Sequence, residues 1–201
     1  MQPSWVGDEL RSVDLRDKRL EKRMLSLLET LSKASSASIP TACDDRAEME
    51  AAYRFFDNDK VDFETVLAPH IVATYARVAR QKVALLVQDT TELDLTRPTT
   101  AMEGAGPLQH GRRSGALLHL THAFTTDGTP LGTVCAEAWT REKRPKKPAR
   151  KKPAKRSASA KRVDTAKRPF EEKESVRWLQ TAQHCVDVQS EIPDTQLVML
   201  A

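Results

Sequence analysis

Long apolar runs are missing from this sequence of 201 residues, and so is a charged-then-apolar leader at the amino terminus. A membrane-spanning helix needs about 20 consecutive apolar residues, and a secretory signal needs such a leader. The sequence therefore predicts a protein with no membrane partner, in the reducing cytoplasm.

Cysteine is also scarce, with only Cys43, Cys135 and Cys185, far apart and without a C-x-x-C pair. An odd, scattered set argues against a disulfide framework or a zinc site, so we interpret all three as ordinary buried or half-buried thiols. His119 and His122 are three apart in a predicted strand, where side chains at odd spacing point to opposite faces. A shared metal is not expected there.

Positive charge is concentrated in one stretch. Between Arg141 and Arg168 there are 14 lysines and arginines and two acids, a net charge of +12, whereas the whole chain carries only +4. The stretch is rich in Lys, Arg, Ala, Pro and Ser, and such a segment cannot bury enough apolar surface to fold. We predict a disordered basic insertion at about residues 141–168.

Residues 1–80 have the spacing of a small helical unit. A stripe of apolar residues predicts a first helix at about 14–33, and Asp45 begins a second that ends near Asp57 and Asn58. On this second helix we place Tyr53 and Phe56 in the core. Asp62 caps a third helix.

After residue 80 the apolar period changes to that of strands. We predict strands at 82–87, 117–124 and 131–139, with an Asp127-Gly128 turn, and then a helix at 172–185 and a strand at 196–201. A glycine-rich mobile loop is expected at about 96–114. The predicted class is α+β, with a helical domain at 1–80 and an α/β domain at 81–201.

Asp89 follows the first predicted strand, in the polar sequence Gln88-Asp89-Thr90-Thr91. A carboxylate held by a core strand suits Mg²⁺, because hard cations prefer oxygen ligands. In the alternative, Asp89 caps a turn by accepting a hydrogen bond from the Thr91 backbone. Local spacing alone leaves both interpretations open.

Three ordered stretches carry a family resemblance: Ser38-Ile39-Pro40 leading to the run from Ala51 to Asn58, then Val87 to Thr91, and later Glu172 to Ser175 with Trp178-Leu179. In these stretches the chain resembles insertion-sequence transposases of the DDE type, specifically the group that includes the transposon-five transposase. The resemblance covers nearly the whole chain except the basic insertion.

The resemblance implies a ribonuclease-H-like domain whose first strand delivers the first acid of an Asp-Asp-Glu triad, here Asp89, to a site that binds Mg²⁺. In the family, the second Asp directly follows a strand resembling Thr195 to Ala201, and the third acid comes much later. We therefore expect an incomplete domain. Asp187 and Asp194 precede that strand, so they are not expected to replace the second acid.

The resemblance also implies that the helical unit recognises double-stranded DNA at the transposon's terminal inverted repeats. The candidate contacts are Arg19, Arg23, Thr41, Arg46 and Arg54. In the alternative, the arginines are solvated helix charges paired at i, i+4, with Arg54 in a structural ion pair at the core edge. Residues 1–82 carry 13 basic and 14 acidic side chains, so composition provides no strong positive field.

The leading hypothesis is a truncated transposase in the bacterial cytoplasm, associated with the nucleoid, that binds transposon ends and is inactive alone. It could pair with a full-length transposase, and no small-molecule substrate is expected. A second hypothesis is an enzyme that is active when another chain supplies the missing acids. A third is a non-enzymatic DNA-binding protein that uses the basic insertion as an arm, the alternative for that segment being a solvated linker.

Overall fold

The computed structural model describes residues 4–96, 102–109, 113–142 and 174–200. Two compact units are present: Met1–Gln81 with Leu131–Thr133, and Lys82–Pro130 with Val134–Ala201. Helices and a mixed sheet together confirm the α+β class. From residue 143 onward, the predicted basic insertion lies outside the described residues. Within the described part of the chain, every helix is too short or too polar to cross a membrane.

The first unit contains five helices: α1 (Trp5–Glu9), α2 (Lys18–Lys33), α3 (Ile39–Ala42), α4 (Arg46–Phe56) and α5 (Phe63–Val78). An aspartate begins each of the three long helices, because its carboxylate accepts a backbone N–H of the first turn. The starts predicted at Asp45 and Asp62 are confirmed. The helix predicted from residue 14 begins at Lys18 instead, because Asp17 is its cap. The short helices α1 and α3 were not predicted.

The core of this unit is built from buried side chains of α1, α2, α4 and the α1–α2 loop: Val6, Leu10, Leu15, Met24, Leu27, Ala52 and Phe55. The prediction that Tyr53 and Phe56 belong to the core is wrong, since each is 49% exposed. Helix α4 instead buries Ala51, Ala52 and Phe55, a face rotated by about one residue from the predicted one. Phe63, the first residue of α5, is likewise exposed.

A polar cluster joins α1, α5 and the segment Leu131–Thr133 within this unit. Arg77 makes two hydrogen bonds to the Glu9 carboxylate, at 2.7 and 3.0 Å. His70 contacts Glu9 through Nδ1 at 2.5 Å and accepts the Thr133 backbone N–H at Nε2. Burial opposes the charge on Glu9, but the bonds from Arg77 and His70 hold its pKa below the usual range.

Gly132 allows the close approach of this segment. Its φ is 133°, and a Cβ there would lie 2.2 Å from the Thr74 hydroxyl oxygen. Side chains larger than hydrogen are therefore excluded by both backbone conformation and space.

The second unit is a sheet with one helix: β1 (Val83–Asp94), β2 (Gly106–Pro107), β3 (Ser114–Phe124), β4 (Pro130–Trp139), α6 (Val176–Glu191) and β5 (Gln196–Leu200). Strand β1 lies between β3, which is antiparallel to it, and β5, which is parallel. Both β2 and β4 pair with β3. The pairing of β3 with β4 agrees with the turn predicted between them.

Strand β1 is longer than the sequence pattern indicated. Beyond Val87 its polar residues remain in the strand, because Gln88 to Asp94 continue the antiparallel register with Thr121 to Gly115 of β3. Gly115 permits this pairing, since a Cβ at that position would lie 1.8 Å from the Leu93 carbonyl oxygen. The Asp127-Gly128 turn is confirmed, with Gly128 at a φ of 88°.

The segment 96–114, predicted to be a mobile loop, is described at residues 102–109, where β2 pairs with β3. The loop prediction at residues 97–101 and 110–112 lies outside the described part. The helix predicted at 172–185 is α6, which begins at Val176 and continues to Glu191 because Cys185, Val188 and Ile192 carry on its buried face.

Candidate nucleic-acid interface and carboxylate site

Helix α2 presents two arginines to solvent. Arg19 and Arg23 are exposed and lie four residues apart, so their side chains lie on adjacent turns of one helix face. The opposite face packs Met24 and Leu27 into the core. Neither guanidinium forms a salt bridge within the described ranges of the chain. The alternative of pairing at i, i+4 therefore does not hold for these two residues.

Helix α4 presents two arginines of a different kind. Arg46 and Arg54 are exposed, but both lie against Glu50, four residues from each. Arg46 Nε donates to Glu50 Oε1 at 2.8 Å, and Arg54 Nη2 lies 3.8 Å from Oε2. This is the i, i+4 pairing of the alternative interpretation. Arg54 does not lie at a core edge, since its side chain is 74% exposed.

Thr41 is exposed on the short helix α3, and its hydroxyl lies 2.9 Å from that of Ser38. Ser38 precedes α3 as its N-cap without a side-chain cap bond. The hydroxyls of Thr41 and Ser38 are thus accessible to a ligand on the same side of the turn. Small hydroxyl side chains of this kind commonly bind phosphate oxygens.

Several acids of the helical unit are engaged in local hydrogen bonds. Glu48 accepts the Thr30 hydroxyl at 2.6 Å and the Asp44 backbone N–H at 2.8 Å, and these bonds hold its pKa below the usual range. The Asp62 pKa is lowered by the Thr65 backbone N–H at its cap position. The Glu48 and Asp62 carboxylates therefore remain negatively charged at neutral pH and offset the positive charge of the arginines. Any DNA affinity of the helical unit has to come from the positions of the arginines on its surface, because its net charge is not positive.

Asp89 lies in the middle of β1 with its side chain exposed. The turn alternative is wrong, because Asp89 pairs with Leu120 of β3 inside a continuous ladder. On the other side, the pairing with β5 reaches Val87 opposite Leu200. Asp89 is therefore two residues beyond the last described β5 pair.

A buried histidine lies behind Asp89. His119 is 2% exposed, with Nδ1 2.8 Å from the Thr90 hydroxyl and Nε2 3.3 Å from Gln88 Oε1. Its ring also contacts Trp178 of α6, with centroids 5.1 Å apart. Because Gln88 and Thr90 flank Asp89, they point to the face opposite its carboxylate. Burial lowers the pKa of His119, which favours the neutral ring.

The other carboxylates near Asp89 in the sequence face away from it. Glu92 and Asp94 are three and five residues after Asp89 on β1, so their side chains point to the opposite face of the sheet. Both form ion pairs with Arg113, whose Nη2 lies 2.6 Å from Glu92 Oε2 and whose Nη1 lies 3.4 Å from Asp94 Oδ2. The Gln109 backbone N–H lowers the pKa of Glu92. Within residues 4–96, 102–109, 113–142 and 174–200, no three His, Cys, Asp or Glu side chains form a group that could hold a metal ion.

Asp187 and Asp194 were not expected to act as the second acid, and their places agree with this. Asp187 lies on α6, and Asp194 precedes β5 at the end that pairs with Val83. The distance along the strand from Val83 to Asp89 is six residues, about 20 Å. Neither carboxylate is at the Asp89 end of β5.

The cysteines have the properties of structural thiols. Burial raises the pKa of Cys185 to about 12 and also raises the pKa of Cys135. Burial also raises the pKa of Cys43, together with neighbouring acids. Thiols with raised pKa values are weak nucleophiles at neutral pH, because the thiolate is the reactive form. His119 and His122 alternate on β3, as predicted.

Sequence reasoning missed two residues that matter in this geometry, His119 and Glu50. His119 was recognised only as one residue of a strand, because its partners Gln88 and Thr90 are about 30 residues away. Glu50 had a local signal, since it is four residues from both Arg46 and Arg54.

Residues 2–61 match the family model described as transposase DNA-binding. The match covers α1 to α4 and supports an amino-terminal transposase DNA-binding domain in this chain. All five candidate DNA contacts lie within it. No curated protein matches the sequence.

Proposed function

We propose that the helical unit binds double-stranded DNA at the terminal inverted repeats of a transposable element, as part of a DDE-type transposase related to the transposon-five group. The observation that carries this proposal is the transposase DNA-binding match over residues 2–61. Arg19 and Arg23, exposed on α2 without salt bridges among the described residues, support it.

In this proposal the two helices have different roles. Arg19 and Arg23 neutralise phosphates and set the register of the protein on the duplex, because one guanidinium group can donate two parallel hydrogen bonds to the oxygens of a phosphate. Thr41 adds a neutral contact from α3. Arg46 and Arg54 contribute from α4, once they are released from Glu50.

The test is a gel-shift titration with a labelled duplex of the element's terminal repeat and a scrambled duplex of equal length. We expect Arg19→Ala/Arg23→Ala to weaken binding by about tenfold or more. The slope of log affinity against log salt concentration should fall by about two, which corresponds to the loss of two phosphate contacts. Asp89→Ala is the matched control, because Asp89 lies in the other unit and should leave binding unchanged. Unaltered affinity of the double variant would contradict the proposal.

Asp89 is proposed as the first acid of a two-metal site. Its support is its exposed position on a central strand, two residues beyond the last described pair with β5. If the parallel register continued, the second residue after Leu200 would lie beside Asp89, with its side chain on the same face. That is the position at which the resemblance expects the second Asp.

The carboxylate of Asp89 fits Mg²⁺ as one oxygen ligand on a rigid strand. With Asp89 as one ligand, a bound pair of such ions would supply activation of the attacking oxygen and stabilisation of the leaving oxygen in phosphoryl transfer. The described residues supply Asp89 but no group of three ligands, so this activity requires further acids. A full-length transposase chain that provided them would be a partner. Strand nicking of end DNA by the chain alone, abolished in Asp89→Ala, would show that the chain itself supplies enough ligands.

A second candidate function rests on the net charge of +12 between Arg141 and Arg168. In that function the segment binds any duplex through phosphate neutralisation, and catalysis has no part. It predicts that removal of the segment abolishes nearly all binding and that the terminal repeat has no advantage over a scrambled sequence.

A further inference from the structure

Glu50 lies between two arginines on the exposed face of α4. Its Oε1 accepts the Arg46 Nε–H at 2.8 Å, and its Oε2 is 3.8 Å from Arg54 Nη2. Arg54 Nε also donates to the Glu50 backbone carbonyl at 3.2 Å. A single carboxylate therefore neutralises part of the charge of two residues that DNA would otherwise bind.

We propose that Glu50 is an internal competitor for DNA phosphate: it occupies Arg46 and Arg54 in the free protein and is displaced from them by the duplex. This inference rests on the proposed DNA-binding function. It assigns Glu50 a role in setting affinity, and it separates the α4 arginines from those of α2.

Solvent exposure makes such an exchange possible. The side chains of Arg46 and Arg54 are 86% and 74% exposed, and that of Glu50 is 46% exposed. Exposed i, i+4 ion pairs are weak, because water screens the charges and both side chains lose freedom. A phosphate on the DNA backbone carries a full charge and releases condensed counterions when it is neutralised. The duplex is thus the stronger partner for each guanidinium.

Glu48, on the same helix, differs from Glu50 because hydrogen bonds hold its carboxylate in place. It bonds the Thr30 hydroxyl and the Asp44 backbone N–H, so it links α2 to the start of α4. Among the described residues, the carboxylate of Glu50 has no bond of this kind, and its ion pairs are those with the two arginines. Glu64, exposed in the first turn of α5 and free of salt bridges in the described ranges, is a matched control.

The test measures affinity by fluorescence anisotropy for a short mixed-sequence duplex and for the terminal repeat. It compares wild type, Glu50→Gln and Glu64→Gln at equal salt. Loss of two i, i+4 pairs predicts that Glu50→Gln tightens binding about three- to fivefold. Glu64→Gln removes the same charge away from the arginines and should change affinity less than twofold. Helical content by circular dichroism verifies that each variant is folded.

The decisive step repeats Glu50→Gln in an Arg46→Ala/Arg54→Ala background, where Arg19 and Arg23 maintain measurable binding. The tighter binding caused by Glu50→Gln should disappear in this background, because the two arginines for which Glu50 and the phosphates compete have been removed. A gain that persists would show that the charge acts at long range, and weaker binding by Glu50→Gln would show that Glu50 orients the arginines for DNA. Either result, or an unchanged affinity, overturns the competitor role alone. Failure of wild type to bind any duplex overturns the proposed function as well.

Discussion

His119 illustrates how a buried polar residue is accommodated at the scale of single side chains. Both of its ring nitrogens have partners, Thr90 and Gln88, and its face contacts Trp178. A neutral ring satisfies this arrangement, with Nε2–H donating to the Gln88 carbonyl oxygen and Nδ1 accepting from the Thr90 hydroxyl. Protonation at Nδ1 would remove that acceptor and bury a charge.

This arrangement predicts a pH dependence of stability. Burial lowers the pKa of His119 in the folded protein, so the unfolded chain, with a histidine pKa of about 6.5, binds the proton more readily. The stability contribution is complete above about pH 6.5 and is lost as the pH falls from there towards the folded pKa. Urea unfolding between about pH 7.5 and about pH 5 measures it. We expect the unfolding free energy of His119→Gln to depend less steeply on pH than that of wild type. The two slopes should differ by at most about 1.4 kcal/mol per pH unit, the value for one proton. Parallel profiles would contradict this expectation.

The arginines differ at the same scale although they are chemically identical. Arg19 and Arg23 project from α2 without salt bridges to the described residues, whereas Arg46 and Arg54 share Glu50. Spacing along the chain distinguishes the two pairs, because only the second has an acid at i, i+4 from both members.

At the scale of an element, local sequence sets the ends of helix α4 but not the face that it buries. Its cap Asp45 and its end near Asp57 follow from local sequence, because capping is a contact between near neighbours. Which face it buries depends on where the core lies. Phe55 is 2% exposed and Phe56 49% exposed, although both are phenylalanines and adjacent.

Truncation of these two rings should therefore have unequal effects. We expect Phe55→Ala to lower the free energy of unfolding by about 3–5 kcal/mol, because it leaves a cavity in the core of the helical unit. Phe56→Ala should cost about 1 kcal/mol or less, since half of its ring is already in water. Chemical denaturation of both variants measures the difference. A larger loss for Phe56→Ala than for Phe55→Ala would mean that the face predicted from the sequence is the buried one, and equal losses would contradict the burial difference.

At the scale of the whole molecule, an ion pair joins Arg141, at the start of the basic segment, to Glu174, which follows that segment in the sequence. Arg141 Nε and Nη2 donate to the two oxygens of Glu174, at 2.5 and 2.6 Å. The charge interaction and hydrogen bonds hold the Glu174 pKa below its usual range. Arg177, at the start of α6, pairs with Glu137 and lies over the Trp139 ring at 3.8 Å. Within the sheet unit, these contacts join residues before position 143 to residues after position 173.

Replacement of residues 143–173 by a short Gly-Ser linker should preserve the sheet unit. We expect little change in the unfolding free energy, because the contacts that Arg141, Glu174 and Arg177 make lie outside the replaced residues. End-specific DNA binding should persist, with a smaller salt slope. Thermal melting and the gel-shift titration measure these effects. Loss of nearly all DNA binding with the fold intact would favour the arm as the DNA-binding element.

The sequence by itself determined the elements that depend on near neighbours. The helix starts at Asp45 and Asp62 and the Asp127-Gly128 turn could be predicted, because caps and turns are contacts over a few residues. The same holds for the charge distribution and for the resemblance of residues 2–61 to transposase DNA-binding domains, which need no structure to be recognised.

Only the tertiary structure decided the properties that depend on distant partners. Strand β1 continues through polar residues because β3 pairs with them, and Asp89 lies within a ladder for the same reason. The burial of His119, the exposure of Phe56 and the cluster of Glu9, His70 and Arg77 arise from residues up to 68 positions apart. Local periodicity contains no information on such contacts, because packing selects the buried face only after the elements have come together.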